Sequence, residues 1–294
     1  MTKALISIEE FKTLAASQPV VIIDTRSPDA YAAGHIAGAV NVHEIFTYLA
    51  TSTMDGLMEL KGKFAEAFGA AGLSGAETAV IYEQSMNSGF GQSCRGYYLL
   101  QFLGYPKATV LHGGLDGWVK AGGALTTTPS KPMPKSFSID PSASAIMIDA
   151  QATLAALSKP GVALIDVRDV DEWIGTSSSP YGPDFCPRKG RIPGAKWLEW
   201  YRMMKPTAAG PMFKSSPEIL AECASVGVTP DTPVILYCFK GARASNTYVA
   251  LKEAGVKDVK MYFGSWNEWS RDPNLPIEEG HPATEKKPLM QSVA

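Results

Sequence analysis

Cys238 is followed by Phe239, Lys240, Gly241, Ala242 and Arg243. A thiol, a glycine and two cations packed so closely can do one kind of chemistry, nucleophilic attack by sulfur. The residues before the thiol, Val234, Ile235, Leu236 and Tyr237, form a short apolar run with β-branched members. That run predicts a buried parallel strand ending at the cysteine. Residues 244–253 read as a helix. The thiol therefore stands in a tight loop between a strand end and a helix N-terminus, where backbone N–H groups converge on an anion and the helix dipole adds to them. Lys240 and Arg243 bring formal positive charge. Each feature favours a thiolate, so Cys238 is expected to be an activated nucleophile. The competing reading is a buried packing cysteine; the glycine and arginine just past the strand end speak against it.

Two enzyme classes hold a thiolate in such a loop. Cysteine phosphatases separate the cysteine from an arginine by five residues, a cradle sized for a phosphoryl group. Here four residues lie between Cys238 and Arg243, and the shorter ring suits a single sulfur atom. The loop resembles that of the rhodanese family, sulfurtransferases that carry a persulfide on cysteine.

The elements that must position the loop recur along the chain. The run from Val20 to Ile23 ends in Asp24-Thr25-Arg26, and a Gly-His-Ile-Ala-Gly-Ala turn follows at Gly34. The run from Val162 to Ile165 ends in Asp166-Val167-Arg168, followed by Glu172-Trp173 and a Gly-Arg-Ile-Pro-Gly-Ala turn at Gly190. Asp24 and Asp166 are 142 positions apart. The strand ending at Glu83 parallels the one ending at Cys238, and Gly113 to Trp118 parallels Gly264 to Trp269. Strands alternate with helical patterns in both halves. The expected fold class is α/β: two tandem rhodanese-like domains, each a parallel sheet with helices on both faces and its site at the carboxyl ends of the strands. The boundaries expected are 1–125 for the first domain, 126–141 for a Pro-rich extended linker and 142–294 for the second. Residues 286–294 read as a disordered tail.

The resemblance covers nearly the whole chain and implies a catalytic second domain and a degenerate first one. Glu83 stands where the first domain would need its cysteine, and a carboxylate forms no persulfide. The loop after it is also longer. Cys94, followed by Arg95, reads as a packing residue, with an accessory thiol as the alternative. Asp166 and Arg168 recur as Asp24 and Arg26 in the inactive half, so the pair reads as structural support for the turn. His35 has Arg191 as its counterpart, which argues against proton transfer there. The second half carries an extra segment, residues 175–189, rich in Ser, Gly and Pro, which reads as a functional loop. Similar enzymes have an arginine near here that faces the substrate anion, and Arg188 is the match. Cys186 reads as an ordinary loop cysteine, or alternatively as an accessible resolving thiol.

Length and composition fit this picture. The chain has 294 residues, 45% hydrophobic and 19% charged, with a formal net charge of −2. Two ordinary domains fit that length. The near-neutral charge points away from bulk nucleic-acid or membrane partners. Glu9, Glu10 and Lys12 break the N-terminal apolar pattern, so that stretch reads as an amphipathic helix opened by Ser7. Four cysteines without metal-ligand spacing suggest a reducing compartment, the cytoplasm.

The resemblance implies ping-pong chemistry. Cys238 takes sulfur from a small anionic donor and passes it to cyanide, a thiol or a protein thiol, with no metal or organic cofactor. The loop amides from residues 239–243 stabilise the negative sulfur. In the family, mercaptopyruvate enzymes have a small neutral loop after the cysteine and thiosulfate enzymes a basic one. Lys240 and Arg243 therefore suggest thiosulfate, with 3-mercaptopyruvate as the alternative donor and a non-catalytic sulfur carrier as the alternative class.

Overall fold

The computed structural model describes residues 3–281. The tail at 286–294, read above as disordered, lies outside the described residues.

Two five-stranded sheets are built to one plan. The first runs Leu5–Ile6, Ala108–Leu111, Thr78–Tyr82, Val20–Asp24, Val40–Asn41. The second runs Met147–Ile148, Val259–Tyr262, Val234–Tyr237, Ala163–Asp166, Lys196–Trp197. Every neighbouring pair is parallel. The strand order is the same in chain terms, so the sequence repeat is a repeat of topology. Strands covered on both faces read as near-continuous apolar runs, and Val234–Tyr237 and Thr78–Tyr82 are buried at every residue. The expected N-terminal helix is Ile8–Ser17. Ser7 and Glu10 close it with a reciprocal capping box, the Ser7 hydroxyl accepting from the Glu10 N–H at 3.2 Å and the Glu10 carboxylate from the Ser7 N–H at 2.9 Å.

The halves share a core. Tyr98 of the first packs edge-on against Tyr248 at 5.0 Å and stacks on Phe263 at 5.7 Å. Each fully buried side chain of this size contributes about 1.5–3 kcal/mol. The helices Gln92–Phe102 and Ala242–Glu253 meet near their N-termini. A Cβ on Gly91 would fall 2.7 Å from the Ala242 carbonyl oxygen, so glycine is required there. The Pro-rich segment is strapped along the first half. Leu125–Thr126 pairs antiparallel with His35–Ile36, and Phe137 stacks on Tyr105 at 5.4 Å. An antiparallel ribbon, Met204–Thr207 with Gly210–Phe213, reaches back to the first half, where the Phe213 N–H donates to His112 at 2.9 Å.

Candidate active site

The site is built on a frame present in both halves. Asp166 ends its strand and Arg168 turns back onto it, with a guanidinium nitrogen 2.6 Å from the carboxylate and another bond to the Gly190 carbonyl at 2.7 Å. The Tyr237 hydroxyl donates to Asp166 at 2.6 Å. Asp24, Arg26, Gly34 and Tyr82 repeat these contacts at the same distances. A buried bidentate pair of this kind fixes the turn and the neighbouring strand end. In the second half that strand end carries the thiol.

Cys238 is 1% exposed. Its sulfur accepts the Gly241 N–H at 3.1 Å. Gly241 has φ of 89° and caps the helix Ala242–Glu253. A Cβ here would meet the Phe263 ring at 2.8 Å, so only glycine lets the loop close this tightly. The Cys238 N–H donates to the Ser265 hydroxyl at 3.2 Å. Ser265 itself has φ of 55°, a strained value for a residue with a side chain. Its hydroxyl also bonds the Tyr262 carbonyl at 2.9 Å, and these contacts hold the strain in place.

The cations are arranged differently from the sequence expectation. Arg243 lines the cavity at Cys238, but its guanidinium forks onto Glu172 at 2.5 and 3.0 Å, with Asp169 at 3.2 Å. Burial opposes its charge, yet the Glu172 carboxylate holds it protonated above the ordinary arginine range. The formal positive charge expected of Arg243 is thus largely balanced by these carboxylates. Lys240 is 9% exposed, with its ammonium 3.9 Å from the Phe46 ring centroid and 5.3 Å from that of Tyr181. Burial, then the Arg95 charge, pull it down to about 7; the Cys238 sulfur opposes the drop and Arg243 adds to it.

Arg188 is a second correction. Its guanidinium donates to the carbonyls of Ser270 and Leu275 at 2.9 Å, of Trp269 at 2.8 Å, and of Asp272. It clamps the chain that follows the helix Ser265–Trp269, and it does not line the cavity at Cys238. Insert register could not reveal this from sequence, because the carbonyls lie more than eighty positions away.

The free space above the sulfur is only ≈ 20 Å³, room for about one water-sized group. Its walls are Phe46 and Phe90 of the first half, Pro180 and Tyr181 of the inserted segment, and Phe239, Lys240, Ala242 and Arg243 of the loop. Tyr181 packs on Phe239 at 4.9 Å. The insert thus closes over the thiol. Sequence reasoning missed Phe46, Phe90, Tyr181, Glu172 and Ser265. Glu172 had a signal: at the offset of 142 its counterpart is Ala30, so acid and arginine are both missing from the first half.

The other three cysteines are buried away from the Cys238 loop. Burial pushes the Cys186 and Cys223 thiols up to about 11. Burial and then Glu83 push Cys94 well above the ordinary range. Cys186 is fully buried, which corrects the reading of an accessible resolving thiol. Glu83 is buried too, and burial raises its carboxyl to about 8 against the Ser93 and Gln92 N–H groups.

Two twinned parallel sheets flanked by helices, one of them with a strand-end cysteine under a helix N-terminus, make a tandem α/β fold of the rhodanese-like kind. Residues 7–121 and 149–272 each match the rhodanese-like domain. The chain belongs to the rhodanese-like family and is a sulfurtransferase. It is 31% identical over 263 residues to a thiosulfate sulfurtransferase of Pseudomonas aeruginosa, covering 88% of this chain and 91% of that one. It is 30% identical over 276 residues to a sulfur carrier protein of Thermus thermophilus, covering 92% and 91%. Among solved structures it is similar to the anaerobic ergothioneine biosynthesis enzyme of Chlorobium limicola, solved with trimethyl histidine. The TM-score is 0.81 at 25% identity, covering 95% of this chain and 71% of that one. Among the described residues, no helix is long and apolar enough to cross a membrane.

Proposed function

We propose that this chain moves sulfane sulfur from thiosulfate, through a persulfide on Cys238, to cyanide or a thiol. The observation that carries the reading is the Gly241 N–H directed at the Cys238 sulfur from the cap of the helix Ala242–Glu253. In the first half-reaction the thiolate attacks the outer sulfur of thiosulfate. The bond to the sulfonate sulfur breaks, and sulfite leaves with the electron pair. In the second, the acceptor takes the outer sulfur and Cys238 returns as thiolate. The Gly241 N–H and the helix N-terminus face negative sulfur at every stage. Residues 1–125 form the inactive half in this reading, 126–141 the connection and 142–294 the catalytic half. Four free cysteines fit a reducing compartment such as the cytoplasm.

Lys240 is the basis for the donor. When protonated it is the cation of the loop whose charge no carboxylate balances among the described residues. A dianion gains more from it than the monoanionic 3-mercaptopyruvate. A sulfur-carrier role is the second reading, favoured by the relative of that name and by the tight walls over the thiol.

Steady-state assays of both donors on wild type and Lys240→Ala test the proposal. Thiosulfate should be the better substrate in kcat/KM. Below pH 7 the variant should lose about ten- to a hundredfold with thiosulfate, and less with mercaptopyruvate. The difference should shrink as pH rises past about 7, where Lys240 gives up its proton. A wild type that prefers mercaptopyruvate would overturn the donor assignment. Stoichiometric loading with negligible turnover would favour the carrier.

A further inference from the structure

We infer that Arg95, in the half without a reactive cysteine, is a positioning residue that supplies a second uncompensated positive charge, beside that of Lys240, to the Cys238 site. The inference rests on the persulfide reading of Cys238.

Arg95 lies one turn into the helix Gln92–Phe102, its N–H bonded to the Gly91 carbonyl at 2.9 Å. That end of the helix abuts the start of the helix that follows Cys238, since a Cβ on Gly91 would fall 2.7 Å from the Ala242 carbonyl oxygen and 2.9 Å from the Asn246 Cβ. The Arg95 side chain is fully buried. It donates to two carbonyls, Phe46 at 2.9 Å and Tyr48 at 2.8 Å, and its Nε has no partner. Among the described residues no carboxylate pairs with it, whereas Arg243 is forked onto Glu172. A buried guanidinium without a counter-ion is costly, so a site that keeps one has a use for its field.

Two contacts connect it to the thiol. The guanidinium lies 4.7 Å from the ring centroid of Phe263, and that ring packs directly under Gly241, the donor to the Cys238 sulfur. The carbonyl it holds belongs to Phe46, whose ring carries the Lys240 ammonium and walls the cavity. Burial pulls Arg95 down to about 10, and the Cys238 sulfur, then the Tyr181 phenol, oppose that drop. In the first half-reaction the site holds a negative sulfur before and after sulfite departs. A fixed cation against the ring that supports the Gly241 turn serves both states without reorganising.

The test compares Arg95→Met, which keeps length and loses charge, with Arg95→Lys, which keeps charge and loses the fork. Iodoacetamide alkylation of Cys238 at pH 7, followed by peptide mass spectrometry, reads the thiol without any sulfur donor. Circular dichroism and thermal melting report folding. Arg95→Met should react about tenfold more slowly and load sulfur from thiosulfate correspondingly slowly, while Arg95→Lys stays within about threefold of wild type. A folded Arg95→Met with the wild-type alkylation rate overturns the inference. If Arg95→Met does not fold, Arg95→Lys decides: a near-wild-type rate supports the inference, and a tenfold loss in the folded protein overturns it. Failure of the thiosulfate reading shows separately, as wild type that alkylates but takes up no sulfur.

Discussion

The two halves fold on one frame and differ where the chemistry lies. Glu83 and Cys238 occupy the same strand end. Leu115 and Trp266 donate N–H groups to their carbonyls at 2.9 and 3.0 Å, and Asp116 and Asn267 to the carbonyls of the next residues at 2.9 Å. From there they diverge. The span from Cys238 to its capping glycine Gly241 is three positions, and from Glu83 to Gly91 it is eight. Ala30 stands for Glu172, Ser93 for Arg243 and Gly114 for Ser265. Under the proposed function, the site is therefore more than its cysteine. What the second half has and the first lacks is the short loop that brings an N–H onto the sulfur, the ion pair that anchors the loop, and the hydroxyl under the cysteine N–H. The longer loop of the first half does something else: it carries Phe90 across to wall the thiol of the second.

The sharpest way to break this comparison is at the ion pair. Glu172→Gln leaves the buried Arg243 with Asp169 alone as carboxylate partner. Loss of a buried partner costs about 3 kcal/mol, so the denaturation midpoint should fall clearly and sulfur loading should slow by more than about tenfold. Unchanged values for both would mean that the pair does not hold the loop.

The effect expected at Glu83 is smaller and lies in stability. Its folded carboxyl titrates at about 8 against an ordinary 4.5. Between those values the folded chain holds a proton that the unfolded chain has released, so this residue's contribution falls as pH rises through that window. Glu83→Gln removes the dependence. Its melting temperature should match wild type below pH 4.5 and exceed it increasingly up to about pH 8. An advantage that does not grow with pH would show that the carboxyl is not held protonated.

Much of this was legible in the sequence for physical reasons. A short apolar run that ends in Cys238, with a glycine three positions on, can fold in few ways. The repeat of Asp-x-Arg and the two glycine turns carried the fold, because each marks a place where the backbone admits few alternatives. Partners were not legible. Arg243 finds Glu172, 71 positions away, and Arg188 finds carbonyls beyond the helix Ser265–Trp269. Nothing local announces where a long cationic side chain will find its acceptors. Phe46 and Phe90 come to wall the thiol only through the packing of one half against the other, which no window of a single half contains.

Under the proposed function, Cys238 holds the transferred sulfur. Intact-mass measurement before and after thiosulfate, with and without cyanide, tests it directly on wild type and Cys238→Ser. Wild type should gain the mass of one sulfur atom and lose it to cyanide, and Cys238→Ser should gain none, because a hydroxyl forms no persulfide. Sulfur uptake by Cys238→Ser, or on Cys94, Cys186 or Cys223 in wild type, would contradict the account.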